Sequence, residues 1–144
     1  MKIFFRCDAS NSMGTGHVMR CLTLACALRS RGVDLRFICR AHPGNMIETL
    51  QRQAIPVTVL PPPEQIPDGR DEDYAGWLGI AQERDAEQTI QALASERPDW
   101  LIVDHYGLDE TWESMLRDHA SKLMVIDDLA NRKHKCDLLL DQNY

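Results

Sequence analysis

The sequence has no excess of positive charge, no apolar run of membrane-spanning length and no CxxC pair. With 16 Lys and Arg against 22 Asp and Glu, a net charge of −6 argues against a nucleic-acid surface, although a local anion pocket fits within an acidic protein. No charged and apolar leader opens the chain, so the expected compartment is the cytoplasm and no membrane partner is expected. The five cysteines, Cys7, Cys21, Cys26, Cys39 and Cys136, are odd in number and lie mostly inside apolar segments, which suits reduced, buried thiols. His134 and Cys136 with the distant Cys7 make no zinc spacing, and no metal is expected. What the sequence does have is 44% hydrophobic content over 144 residues, enough for one domain with a real core.

Strand and helix signals alternate along the chain. Ile3-Phe4-Phe5 is a short apolar strand, and the segment from about Gly16 to Arg31 reads as a helix that ends before Gly32. Val33 to Cys39 reads as a second strand and completes a βαβ unit. Asn45 caps a short helix through Met46, Ile47 and Leu50, and Pro56 to Leu60 forms the next strand. Pro61-Pro62-Pro63 and the acidic run to Asp73 break both patterns, so a long exposed loop is expected there. Ile80 to Glu96 fits a helix through Ala86, Ile90, Leu93 and Ala94, with Pro98 beyond it. The apolar run Trp100-Leu101-Ile102-Val103 fits a strand at the centre of a parallel sheet. Asp109 caps a helix to about Ala120, and Lys122 to Ile126 and Leu138 to Leu140 are the last strands. The fold class is therefore α/β: one domain over residues 1–144, a Rossmann-like parallel sheet with helices on both faces and ligands at the C-terminal strand ends.

Three polar stretches meet on that edge: Asp8 to Arg20, Asp104-His105-Tyr106, and Asp127-Asp128. Gly14-Thr15-Gly16 lets the backbone turn tightly just before a helix whose first amides favour an anionic oxygen such as a phosphate. A lone GxG is a weak motif, and an ordinary tight turn is the alternative. His17 falls in the first helical turn, where the positive end of the helix dipole disfavours imidazolium; it is the candidate base. Arg20, one turn on, either reaches an anion or solvates the helix. Tyr106 can donate to a sugar or leaving-group oxygen, whereas His105 is read as a packed, structural histidine. Asp127-Asp128 is read as a structural cap, because two adjacent carboxylates do not complete an oxygen cage for a divalent ion.

Taken together, Arg6-Cys7-Asp8-Ala9-Ser10, Met13-Gly14-Thr15-Gly16-His17-Val18-Met19-Arg20-Cys21-Leu22, Val103-Asp104-His105-Tyr106-Gly107 and Cys136-Asp137-Leu138-Leu139-Leu140-Asp141-Gln142-Asn143 resemble one family. It is the UDP-2,4-diacetamido-2,4,6-trideoxy-β-L-altropyranose hydrolase family of pseudaminic acid biosynthesis, and the likeness extends through Ile126-Asp127-Asp128-Leu129-Ala130. The resemblance implies the N-terminal half of a two-domain, GT-B-like fold, with the second, nucleotide-binding domain missing from these residues. Such a half is expected to be weakly active or inactive, and its uncovered apolar surface offers a route to a homodimer. The resemblance further implies that water attacks the anomeric carbon of a UDP-sugar with inversion, releasing UDP without a cofactor, on the way to a flagellin or surface glycan. On that reading His17 is the general base and Tyr106 a substrate or catalytic contact. Asp8, Ser10, Gly14, Thr15, Gly16 and Arg20 are then substrate-binding, with the Gly14 and Gly16 amides on the diphosphate. Two other readings stay open: the acceptor-binding half of a GT-B glycosyltransferase, in which His17 deprotonates a hydroxyl, and a non-catalytic nucleotide- or phosphate-binding module.

Overall fold

Buried side chains that alternate along the central strands sort the chain into two cores, one on either side of a six-stranded sheet. The computed structural model describes residues 1–66 and 74–141. In chain order the elements are β1 (Lys2–Cys7), α1 (Gly16–Arg29), β2 (Asp34–Arg40), α2 (Ile47–Arg52), β3 (Val57–Leu60), a 3₁₀ turn (Tyr74–Leu78), α3 (Gln82–Leu93), β4 (Trp100–Asp104), α4 (Glu110–Leu116) with a 3₁₀ turn after it (Arg117–His119), β5 (Lys122–Ile126) and β6 (Leu138–Leu140). The expected loop from Pro61 to Asp73 falls partly outside the described residues, as do Gln142, Asn143 and Tyr144.

Every strand pair is parallel, and the order across the sheet is β3-β2-β1-β4-β5-β6. In β1, Ile3, Phe5 and Cys7 pack with Val18, Cys21, Leu22 and Ala25 of α1 and Leu50 of α2. Phe4 turns to the other face and packs with Ala86 and Leu93 of α3 and Trp112 and Leu116 of α4. Helices therefore cover both faces, the Rossmann-like α/β arrangement that the strand–helix alternation predicts.

The helix ends differ from the sequence expectation for local reasons. α1 closes at Arg29 and α4 at Leu116, where the chain tightens into its 3₁₀ turn. α3 stops at Leu93 because Ala94 takes a left-handed φ of 51°, well before Pro98. Asp109 accepts the Thr111 N–H at 2.9 Å, as a cap should, and Asn45 accepts the Ile47 N–H at 3.0 Å from one position ahead of the boundary residue Met46. All five cysteines are free, and no described helix is long and apolar enough to cross a membrane.

What places the site is the point where the strand order reverses. The chain runs outward from β1 through β2 to β3, then returns to lay β4, β5 and β6 on the other side. The loops after β1 and β4 thus part from each other over adjacent strand ends, with Cys7 paired to Asp104. A doubly wound sheet holds its ligand crevice there.

Candidate active site

The loop from β1 to α1 is closed on itself. Ser10 Oγ accepts the Met13 N–H at 2.9 Å, and the Gly14 N–H donates to the Ser10 carbonyl at 2.8 Å, with Gly14 at φ +75°. Asn11 N–H donates to Pro43 O at 3.0 Å, which docks this loop on the one after β2. Gly44 makes that contact practicable: it sits at φ +82°, and a Cβ there would lie 2.8 Å from the Asn11 nitrogen. The Gly14 amide, expected on a diphosphate, is therefore committed to the turn. No side chain caps α1 at Thr15, so the amides of its first turn, beginning at the exposed Gly16, are the ones placed for an anion.

His17 is the second residue of α1 and is buried against the end of β4. Its Nδ1 lies 2.6 Å from Asp104 Oδ1. Arg20, on the same face of α1, donates from Nε to Asp104 Oδ2 at 2.6 Å and from Nη2 to Oδ1 at 2.6 Å. Burial alone would push the Asp104 pKa up; the His17 and Arg20 hydrogen bonds outweigh it and hold the group below the ordinary carboxylate range. A carboxylate can only accept, so Nδ1 carries the proton and the Nε2 lone pair is left for chemistry.

Tyr106 follows two residues after Asp104, and its ring meets the His17 imidazole edge-on at 4.4 Å between centroids. Its hydroxyl donates to Asp128, which also pairs with Arg20 Nη1 at 3.6 Å. Burial and the Asp128 carboxylate push the Tyr106 pKa up to about 12, so the phenol is a hydrogen-bond donor and not a base near neutral pH. Met13, Gly16, His17, Arg20, Trp77 and Tyr106 line a cavity of about 440 Å³. The structure thus brings Gly16, His17, Arg20 and Tyr106 onto one cavity, with the exposed Thr15 at its rim.

Asp8 and Ser10 stand elsewhere. Ser10 is buried inside its own turn, and Asp8 is wholly buried beneath the strand ends. Asp8 Oδ1 accepts from Arg6 Nη1 and the Arg40 N–H, both at 2.7 Å; Oδ2 faces Nε2 of His105 at 3.0 Å and of His42 at 3.3 Å. Burial opposes its charge, yet Arg6 and the two histidines hold its pKa well below the usual range. The expected substrate contact of Asp8 gives way to a structural one, because no part of it reaches a surface. The ligand atoms of Asp8, His42 and His105 lie within 4.8 Å of one another, close enough for a metal ion. The donor set does not fit one: the Arg6 guanidinium already supplies the positive charge, and His105 accepts the Gly107 N–H on Nδ1 at 2.9 Å, which leaves a proton on the Nε2 facing Asp8.

Sequence reasoning gathered Asp104 and Asp128 on the right edge without assigning them to the base and the phenol. A carboxylate at the end of a central parallel strand, beside a histidine in the first turn of the helix that leaves the neighbouring strand, is the available signal. Trp77 carried none, because a long loop separates it from β3.

Fold and site together define a doubly wound α/β domain with an Asp–His pair opening on a cavity at the switch point. No family model matches the chain. It is 27% identical, over 144 residues, to the UDP-2,4-diacetamido-2,4,6-trideoxy-beta-L-altropyranose hydrolase of Campylobacter jejuni subsp. jejuni serotype O:2. That match takes in 99% of this chain and spans 42% of the relative's length.

Proposed function

We propose that the chain is the base-bearing domain of an inverting hydrolase acting on a UDP-linked 2,4-diacetamido-2,4,6-trideoxy sugar, in pseudaminic acid biosynthesis. The observation that carries the reading is the His17–Asp104 pair at 2.6 Å on the cavity at the switch point, and the distant relative's name supplies the substrate class. Asp104 holds the Nδ1–H, and His17 Nε2 takes a proton from a water as that water's oxygen bonds the anomeric carbon. The bond from that carbon to the diphosphate oxygen breaks on the opposite face, and UDP leaves with the electron pair. Amides at the uncapped start of α1 stabilise the charge that develops on the leaving group. Tyr106 and Arg20 contact the substrate from the cavity wall, and no cofactor takes part. A second, nucleotide-binding domain completes the grip on UDP in this reading, in keeping with the relative's greater length.

The test is phosphorus and proton NMR on the UDP-sugar, with the full-length protein that carries this chain, its His17→Ala variant, and residues 1–144 alone. Free sugar and UDP are expected from the full-length wild type, a loss of about 10²–10⁴-fold from His17→Ala, and weak turnover or none from the short chain. An intact UDP-sugar throughout sinks the hydrolase reading. Transfer to a sugar or lipid hydroxyl would then identify a glycosyltransferase half, and binding without any turnover a nucleotide-binding module.

A further inference from the structure

Beside His17 the cavity lining is aromatic. Trp77 and Tyr106 both line it, with their rings 25° apart in plane and centroids 6.0 Å apart, and the Arg132 guanidinium lies 5.6 Å from the Tyr106 ring centre. Tyr74 fixes them from behind: its ring stands edge-on to Trp77 at 4.7 Å and 89°, and edge-on to Tyr106 at 5.3 Å and 76°. Tyr106 in turn stands edge-on to His17 at 4.4 Å and 88°. The aromatic wall and the candidate base are therefore one packed unit, and whatever binds against the wall is placed relative to the base. Trp77 is part-buried and lines the same cavity as His17, whereas Tyr74 contacts both rings without lining that cavity.

On the aromatic side of the cavity the Arg20 guanidinium and the Tyr106 hydroxyl already have carboxylate partners. Arg20 is held by both oxygens of Asp104 and by Asp128, and the Tyr106 hydroxyl donates to Asp128. Met13 adds a thioether to the lining. A fully hydroxylated hexose face would lose water against these rings with little to replace it. C–H and methyl groups lose nothing there and gain ring contact.

We propose that Trp77, with Tyr106, is the specificity-determining wall of the site: it receives the methyl-bearing, apolar side of an acetamido-deoxy sugar and disfavours hydroxylated sugars. This assignment rests on the sugar-nucleotide reading above and adds to it the residue that distinguishes one sugar from another. Trp77 touches no reacting atom and acts through contact with the sugar alone.

The experiment compares the UDP-linked diacetamido-trideoxy sugar with UDP-N-acetylglucosamine, using the full-length wild type, Trp77→Ala and Trp77→Phe. Trp77→Ala is expected to raise KM for the trideoxy sugar about tenfold, the scale of one or two methyl contacts, with kcat changed far less. Preference over UDP-N-acetylglucosamine should fall by a similar factor and return largely in Trp77→Phe. An unchanged preference with only a lower melting temperature would show that Trp77 merely wedges its turn, and the proposal fails while the hydrolase stands. If the wild type turns over neither compound, the hydrolase reading fails, and binding decides the proposal. Saturation-transfer NMR then reads contact between the indole and the sugar methyls. Transfer in the wild type that disappears in Trp77→Ala supports the wall; its absence in the wild type overturns it.

Discussion

Two Asp–His pairs sit side by side at the ends of the central strands, and they differ in one respect that decides their use. Asp8, just after β1, faces His105 and His42 with no exposed surface on any of the three side chains, and its other oxygen is taken by Arg6 and the Arg40 backbone. Asp104, at the end of β4, holds His17 by Nδ1, and the His17 ring lines a cavity. In the first pair the histidine Nε2 is turned inward onto the carboxylate; in the second the carboxylate takes Nδ1 and leaves Nε2 over. The same chemistry thus serves as a buried fastening in one place and as an oriented base in the other. Access, and which nitrogen the carboxylate engages, separate the two.

Substitutions in the two pairs are expected to have opposite effects. Asp104→Asn places an amide that can donate to Nδ1, which moves the histidine proton to Nε2 and removes the base without emptying the site. Turnover of the UDP-sugar is expected to fall about 10²–10⁴-fold, with a small change in melting temperature. His105→Ala should do the reverse, leaving Asp8 and the Gly107 N–H short of a partner, so that stability falls by about 2–4 kcal/mol. Steady-state rates and denaturant melts on the same two variants check both. Equal losses of rate in the two would erase the distinction drawn between the pairs.

The buried pair is anchored by a wider network, and its removal is the next largest effect. Asp85 on α3 accepts from Arg6 Nη2 at 2.6 Å, Arg40 Nη2 at 2.7 Å and the Trp112 indole N–H at 2.8 Å, all without exposed surface. Burial raises its pKa, but Arg6 and Arg40 together carry it below the ordinary value, so it is charged. Asp85→Ala takes a carboxylate partner from two buried guanidinium groups, leaving Arg6 on Asp8 and Arg40 on Gln88 and the Pro61 carbonyl, and a loss of about 3 kcal/mol is expected in urea unfolding. A loss under about 1 kcal/mol would show that the network relaxes around water, and that the sealed side is less sealed than its geometry implies.

The fold was legible because each strand carries its own apolar run and the helices carry a cap, a stop or an apolar spacing, down to the Asp109 cap, whereas the strand order came only from the structure. That His17, Arg20 and Tyr106 share one cavity was legible because a parallel sheet brings together the loops that leave its central strands. Asp8 misled for the same reason: it occupies a site-like position at the end of β1, and only packing shows that Arg6, two residues earlier, turns it inward. Gly14 misled because a glycine serves a tight turn and an exposed amide equally well, and the bond to Ser10 decides between them. Trp77 depended on where a long loop delivers the 3₁₀ turn, which no local pattern encodes.

A further histidine, His134, gives the smallest effect. His134 stands between two carboxylates, Nδ1 at 2.6 Å from Glu113 and Nε2 at 2.6 Å from Asp127, while Arg132 also pairs with Asp127 at 2.7 Å. Both ring nitrogens face acceptors, which favours the doubly protonated ring, and the Glu113 and Asp127 bonds raise its pKa above the usual histidine value despite burial. A histidine raised in the folded state contributes fully below its unfolded pKa of about 6.5 and loses that contribution as pH rises through the higher folded value. His134→Gln should therefore cost about 1–2 kcal/mol near pH 6 and progressively less toward pH 9, read as the gap between wild-type and variant urea curves. His105 offers the contrast within one molecule: burial lowers its pKa, so it is held neutral, and His105→Ala should widen its gap in no such acid-favoured way. A His134→Gln gap that stays constant from pH 6 to pH 9 would mean the ring bridges its two carboxylates without carrying the charge, and His17, His105 and His134 would then differ in access alone.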